Sequence, residues 1–284
     1  MSETLLVHLG IVRTGSSSVR RLVRDYCQIK GETCSHFPET EDEPVTEQTR
    51  YLFTECPYPY HLDTDRHCQY FTTIRNPVDS VISEYFFYLE REKLDASVSL
   101  DDFIAALPKS YNKQARWIAA INSPDKKLHT LEQPRNMFEH GFYEDISDQD
   151  LLMQVQASAG KYFPCIGLLE RMEESAFQIA AKFGWSTVPI LSRMNASFKD
   201  EALKREKPTE LQIAKIKECN RADDMLYQAV EHNFNQEISQ IRSTLAEQMD
   251  FYKQECKRRD EELLKKRREV FEKVMDIPTE GGIH

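Results

Sequence analysis

An α/β fold with a mainly parallel sheet and a long C-terminal helix is predicted by three observations. Short apolar runs alternate with segments of helical periodicity over the first two thirds of the chain. A loop rich in Gly, Ser and Thr joins the first apolar run to the first helical segment. From Pro208 onward the pattern is helical almost to the end. The length, 284 residues, suits one large domain or two small ones, and 15 Phe and 12 Tyr exclude disorder over most of it.

Leu5, Leu6, Val7, His8 and Leu9 form the first strand, which Gly10 ends. Val19, Leu22, Val23 and Tyr26 then recur at helical spacing. Residues 31–50 are polar, with Pro38, Pro44 and an acidic run over 39–43, and read as a surface loop with one short strand. Residues 70–74 are a strand, aromatic and Thr-rich, and 77–89 a helix opening on Pro77. Ser99 is an N-cap for a helix from Leu100, because Asp101 and Asp102 suit its first turn. A helix over 113–121 follows, then a strand over 162–168 and a helix over 173–183 that stops at Gly184.

Three helices complete the chain, over 210–219, 222–232 and 236–275. In the last, Ile238, Ile241, Leu245, Met249, Tyr252 and Cys256 step by three or four, and Leu263, Val270 and Val274 extend the seam. This divides the chain into a domain over 1–235 and a helical extension over 236–284. The seam suggests a coiled coil and a homo-oligomer formed through it. Lys257, Arg258, Arg259 and Lys265 to Arg268, interleaved with Asp260 to Glu262, read as a solvated face.

A formal charge of −10 excludes a global basic field for nucleic acid but not a local cationic cleft. No apolar run of about 18 residues predicts a membrane span, and residues 1–10 lack the basic cluster of a signal peptide. Seven scattered cysteines, an odd number without CxxC pairs, fit a reducing cytoplasm better than a disulfide framework. Cys34 with His36, and Cys56 with His61, match no zinc-ligand spacing, so no metal site is predicted.

The loop Gly10-Ile11-Val12-Arg13-Thr14-Gly15-Ser16-Ser17-Ser18 has Walker A glycine spacing, with Ser16 where a lysine would stand. The anion-binding physics survives that change. Loop and helix N–H groups converge with the positive end of the helix dipole, Thr14 and three serines add hydroxyls, and Arg13 adds a permanent cation. A triphosphate would call for a metal, yet the strand over 70–74 ends on Arg75 rather than on an acid. Arg75 lies where parallel sheets place ligands, and Ser83 lies two turns along the next helix. The pattern therefore points to a ligand with two anionic groups.

At this point the chain resembles the sulfotransferases. Val12-Arg13-Thr14-Gly15-Ser16-Ser17-Ser18 is similar to their 5′-phosphosulfate loop, P-K-T-G-[ST]-[ST]-[ST]. Arg75-Asn76-Pro77 with Ser83 and Tyr85 resembles their 3′-phosphate motif. Cys165-Ile166-Gly167-Leu168-Leu169-Glu170-Arg171 with Glu174-Ser175 resembles the V-G-L-x-E-R-x-x-E-S segment, and Asn112-Lys113-Gln114-Ala115-Arg116 the N-x-Q-x-R element of the carbohydrate branch, of Golgi-type, bacterial and heparan 2-O type. Order and spacing agree from about residue 5 to 235.

The resemblance implies a P-loop-like three-layer fold and transfer of a sulfuryl group from 3′-phosphoadenosine-5′-phosphosulfate to a hydroxyl, with a sugar-containing acceptor. The product is 3′,5′-adenosine bisphosphate, and no metal is needed. It assigns Arg13 to Ser18 to the 5′-phosphosulfate, Arg75 and Ser83 to the 3′-phosphate, and Arg193 and Lys199 to a late basic loop over the nucleotide. Gln114 and Arg116 would position nucleotide or acceptor. The stretch Thr54-Glu55-Cys56-Pro57-Tyr58-Pro59-Tyr60-His61 aligns with the segment that carries the general base in many relatives. Glu55 is the first candidate base and His61 the second, then His36; Tyr58, Tyr60 and Tyr51 could wall a sugar site.

Two departures stand out. Arg13 replaces the family lysine and cannot donate a proton near neutrality, and the second arginine common in the 3′-phosphate motif is here Asp79 or Ser80. Glu170 and Arg171 read as a structural ion pair, and Trp117 and Trp185 as core. A P-loop phosphotransferase and a catalytically silent nucleotide-binding relative remain open alternatives.

Overall fold

The computed structural model describes residues 4–37, 44–91, 94–123, 146–191 and 207–275, with side chains through Glu262 and at Lys265. Five parallel strands form one sheet in the order β2-β3-β1-β4-β5. They are β1 (Leu5–Leu9), β2 (Thr33–Phe37), β3 (Thr49–Thr54), β4 (Cys68–Ile74) and β5 (Cys165–Leu168). The helices are α1 (Ser16–Lys30), α2 (Pro77–Glu90), α3 (Leu100–Ala105), α4 (Lys113–Ala120), α5 (Asp148–Tyr162), α6 (Met172–Phe183), α7 (Glu210–Cys219) and α8 (Arg221–Met275).

Every residue of β1 is buried, which requires cover on both faces of the sheet. On one face Tyr26 of α1 stacks on Trp185 at 4.1 Å, Trp185 Nε1 donates to Tyr51 Oη at 2.8 Å, and Phe183 of α6 packs edge-on against Phe71 at 5.1 Å. On the other, Tyr70 meets Tyr162 at the end of α5 at 6.1 Å and Phe163 at 5.7 Å. Ser158 of α5 donates to Ile118 O, which adds α4 to that layer. The result is three layers, with both tryptophans in the core. A smaller apolar cluster, including Val81, Tyr85, Phe103, Tyr111 and Ile216, joins α2, α3 and α7.

The structure departs from the sequence reading in four places. Residues 31–50 hold the one expected short strand, β2, but β3 (Thr49–Thr54) goes unpredicted, although it is nearly all buried through Tyr51, Leu52 and Phe53. α5 goes unpredicted, and it takes Tyr162 from the predicted strand, so β5 starts at Cys165. The helices predicted over 222–232 and 236–275 run together in α8, which kinks instead at Leu245, where φ/ψ are non-helical.

The seam of α8 also lies against the chain itself. Ile238, Met249, Tyr252 and Cys256 belong to the main core, and Ile241 and Leu245 pack against it. Tyr252 Oη donates to Pro189 O at 2.8 Å and accepts from Leu191 N at 3.2 Å. As far as Cys256, then, the residues of the predicted seam lie in or against the chain's own core. Leu263, Val270 and Val274 lie outside the described side chains. No helix among the described residues is long and apolar enough to cross a membrane.

Candidate active site

The site is built at the carboxyl ends of β1, β3 and β4, where parallel strands leave the sheet. Gly10 N donates to Thr54 O at 2.7 Å, which fastens the start of the loop to the end of β3. A Cβ on Gly10 would sit 2.9 Å from that carbonyl, so the close approach requires glycine. The loop then passes through two left-handed residues, Arg13 (φ 69°) and Gly15 (φ 90°). Two threonines of β4 hold it underneath: Thr72 Oγ1 donates to Leu9 O at 2.6 Å and Thr73 Oγ1 to Thr14 O at 2.8 Å. Thr14 Oγ1 itself donates to Ile11 O at 2.9 Å.

The N-termini of α1 and α2 differ in a way that matters for anions. Gly15 caps α1 without a side-chain hydrogen bond, and the first turn carries no acid. No side chain thus offsets the dipole there; Ser18 N already donates to Gly15 O at 2.9 Å, which leaves the N–H groups of Ser16 and Ser17 at the helix end. At α2, Asn76 Oδ1 accepts from Val78 N and Asp79 N, Asp79 sits in the first turn, and Glu170 Oε1 accepts from Asn76 N at 2.8 Å. That terminus is closed by its own groups.

Side chains bring the two predicted phosphate motifs together. Arg13 Nε donates to Ser83 Oγ at 2.9 Å, and its guanidinium lies 4.9 Å from the centre of the Phe87 ring. Arg75 Nη1 reaches Arg13 O at 3.5 Å. Gln114 fixes the main chain of Arg75 at both ends: its Oε1 accepts from Arg75 N and its Nε2 donates to Arg75 O, each at 2.8 Å. Gln114 is itself held, because Asp223 caps α4 by accepting from Gln114 N at 3.1 Å and Ala115 N at 2.7 Å. Burial pushes the Asp223 carboxyl up to about 6, although these N–H donors pull the other way. Gln114 is therefore a positioning residue in this structure. Arg116 Nη2 donates to Ser110 O at 3.0 Å, also within the protein.

Glu55 directly follows Thr54, whose carbonyl holds Gly10, so it stands beside the loop. Its carboxylate is exposed and ion-paired with Arg20 of α1. Below this pair lies His8, buried between Phe53 and Phe71, with Nε2 lacking a protein partner. Burial pushes its imidazole down to about 3, and Arg20 and His36 add to the effect. His36 packs on Phe53 at 5.3 Å, on the same side.

His61 is placed elsewhere. It packs on Tyr162 at 4.3 Å, and its Nδ1 lies 3.2 Å from Tyr70 Oη, on the opposite face of the sheet from His8. Tyr70 pairs with Val7, three residues before Gly10, roughly 10 Å back along the strand. Tyr58 stacks on Phe37 at 4.3 Å and Tyr60 meets the same ring at 5.4 Å, and Phe37 pairs with Thr54. These two tyrosines therefore stand at the site end of the sheet, whereas Tyr51 is buried beneath Trp185 and cannot wall a sugar. Arg193 and Lys199 lie outside the described residues.

Glu170 and Arg171 do not pair with each other. Glu170 bonds Asn76 N and Tyr227 Oη, while Arg171 bonds Glu174 and Asn235. Sequence reasoning missed Thr72, Thr73, Arg20 and Phe87. Only the adjacent threonines before Arg75 carried a signal, as hydroxyls at the carboxyl end of a strand. No disulfide joins any of the seven cysteines, and the described residues hold no cluster of three or more His, Cys, Asp or Glu fit for a metal.

No protein-family model matches the chain, and no curated protein matches it. Solved structures similar to it include a sulfotransferase from Alicyclobacillus acidocaldarius, at 14% identity and a TM-score of 0.40, covering 78% of this chain and 97% of that one. Another is mouse sulfotransferase SULT7A1 complexed with PAP, at 12% identity and a TM-score of 0.37. That match covers 76% of this chain and 62% of the mouse chain, so the chain spans less than two thirds of the mouse protein.

Proposed function

We propose that the chain is a sulfotransferase that moves a sulfuryl group from 3′-phosphoadenosine-5′-phosphosulfate to an acceptor hydroxyl. The observation that carries this reading is the meeting of two cationic motifs at one end of the sheet, through Arg13 to Ser83 and Arg75 to Arg13. One motif opens on an uncapped helix N-terminus and the other on a strand-end arginine. A donor with phosphate at both the 5′ and 3′ positions matches that pair of sites.

The backbone amides of residues 13–18 would hold the 5′-phosphosulfate and stabilise charge as it develops on the leaving phosphate. Arg75 and Ser83 would hold the 3′-phosphate. The acceptor oxygen forms a new S–O bond as the bond from sulfur to the bridging phosphate oxygen breaks, and 3′,5′-adenosine bisphosphate leaves. Glu55 would take the acceptor proton, with Arg20 orienting its carboxylate. Tyr58 and Tyr60, stacked around Phe37 three to five residues beyond Glu55, would present aromatic faces to a sugar. Positioning and electrostatics supply the catalysis, and the cations come from the protein.

The test is calorimetric titration with 3′,5′-adenosine bisphosphate, with and without Mg²⁺, against ATP and 5′-AMP. Metal-independent binding of the bisphosphate is expected, weakened about tenfold or more in Arg75→Ala. A preference for ATP with Mg²⁺, or no nucleotide binding, would overturn the proposal in favour of a phosphotransferase or another function.

A further inference from the structure

We infer that Arg13, although it sits in the 5′-phosphosulfate loop, reads the 3′-phosphate and so sets the specificity for a 3′-phosphorylated nucleotide. The inference rests on the donor site proposed above and reassigns one side chain within it.

Four observations converge on this assignment. First, Arg13 has a left-handed backbone (φ 69°) in the middle of the loop, a conformation that is uncommon in a residue other than glycine. Second, its side chain runs along α2: Nε bonds Ser83 Oγ at 2.9 Å and the guanidinium covers the Phe87 ring at 4.9 Å. Ser83 and Phe87 are four residues apart on one helix, hence on one face. The two contacts fix both the direction and the plane of the guanidinium.

Third, the backbone N–H groups at the N-terminus of α2 are already taken. Asn76 Oδ1 already accepts from Val78 N and Asp79 N, and Asn76 N already donates to Glu170. Fourth, Glu170 and Asp79 place two carboxylates around that helix start. Arg75 alone would face those charges as well as a dianionic phosphate. A second guanidinium restores the balance, and Arg13 is the one that the structure lays beside Ser83. A guanidinium presents its N–H donors in a rigid planar fork, which the contacts with Ser83 and Phe87 orient. The 5′ group is then left to the amides of Ser16 and Ser17 and the serine hydroxyls at the start of α1, since Thr14 and Ser18 N already donate within the loop.

The test compares 3′,5′-adenosine bisphosphate with 5′-AMP in wild type, Arg13→Met and Arg13→Lys, read as the ratio of their dissociation constants. If Arg13 reads the 3′-phosphate, Arg13→Met lowers that ratio by about tenfold or more and leaves 5′-AMP affinity within about threefold. Arg13→Lys restores part of the ratio, since it keeps the charge and loses the fork. Ser83→Ala moves the ratio in the same direction, with less than additive loss in the double variant. Thermal unfolding of each variant shows whether the fold is intact. If both ligands weaken together and the ratio stays constant, Arg13 serves the 5′ group and the assignment is overturned, while the donor site stands. If neither ligand binds wild type, the assignment and the donor site both fall.

Discussion

A methyl group on Gly15 would lie 2.6 Å from Leu169 Cδ1 and 2.7 Å from Met172 Cε, in a backbone already at φ 90°. Both the left-handed conformation and the overpacking oppose it, so Gly15→Ala should cost about 2–4 kcal/mol in urea unfolding. The same variant should lose nucleotide binding, because Gly15 sets the first turn of α1. Glu55 and His61 make opposite predictions at this scale. Glu55→Gln should lower turnover about 10²- to 10⁴-fold with bisphosphate affinity unchanged, whereas His61→Gln should leave turnover near wild type. Steady-state kinetics on the two variants decides between them, and the reverse pattern would move the base to the other face of the sheet. Much of this was legible in the sequence, because Gly10, Gly15 and Arg75 are punctuation residues whose type signals a backbone position. Arg20 was not: its contact with Glu55 joins residues 35 apart and exists only once α1 lies on the sheet.

At the scale of elements, α4 depends on a cap delivered from far along the chain. Asp223, at the start of α8, accepts from the first N–H groups of α4, while Asn112 Oδ1 accepts from Asp223 N at 3.1 Å. Its carboxyl is raised from 3.8 to about 6 by burial. Between those values the native state keeps a proton that the unfolded chain has released, so this group makes stability fall as pH rises through the window. The full cost above pH 6 is about 3 kcal/mol. His8 has the opposite sign. Its imidazole is lowered from 6.5 to about 3, so the unfolded chain takes up a proton first and stability falls as pH drops below 6.5. His8→Met should remove about 3 kcal/mol of the loss between pH 6.5 and pH 4. Asp223→Asn should abolish the opposing slope while losing an acceptor for α4, and urea unfolding across pH reads both. Neither group could be ranked from sequence, since burial sets both shifts. Similar limits hid α5, whose buried residues are only Leu151, Val155 and Ser158, and left β2, a largely polar edge strand beside an acidic run, as one short strand without a position.

For the whole molecule, the C-terminal helix completes the core. Ile238, Met249, Tyr252 and Cys256 close the same apolar cluster that contains β1 and α6. A charge at Met249, which is 4% exposed, should therefore destabilise the fold rather than dissociate an assembly. Met249→Asp is expected to cost about 3 kcal/mol or more, by the same amount at every protein concentration. A concentration-dependent loss, seen by sedimentation alongside unfolding, would return the seam to self-association. Periodicity revealed that α8 has an apolar stripe. It could not reveal what covers the stripe, because a seam docked on its own domain and one docked on a second copy obey the same spacing.

The strand order has a further consequence for how the protein is made. β1 occupies the middle of the sheet, yet of the five strands it leaves the ribosome first. Its two partners are residues 49–54 and 68–74, which arrive over several seconds at roughly 5–20 residues per second. Until residues 49–54 arrive, Leu5–Leu9 has neither edge paired, and of its apolar cover only that of α1 has been made. The most buried strand of the finished protein is the most exposed one in the nascent chain, and it is the segment on which a holding chaperone would first have to act.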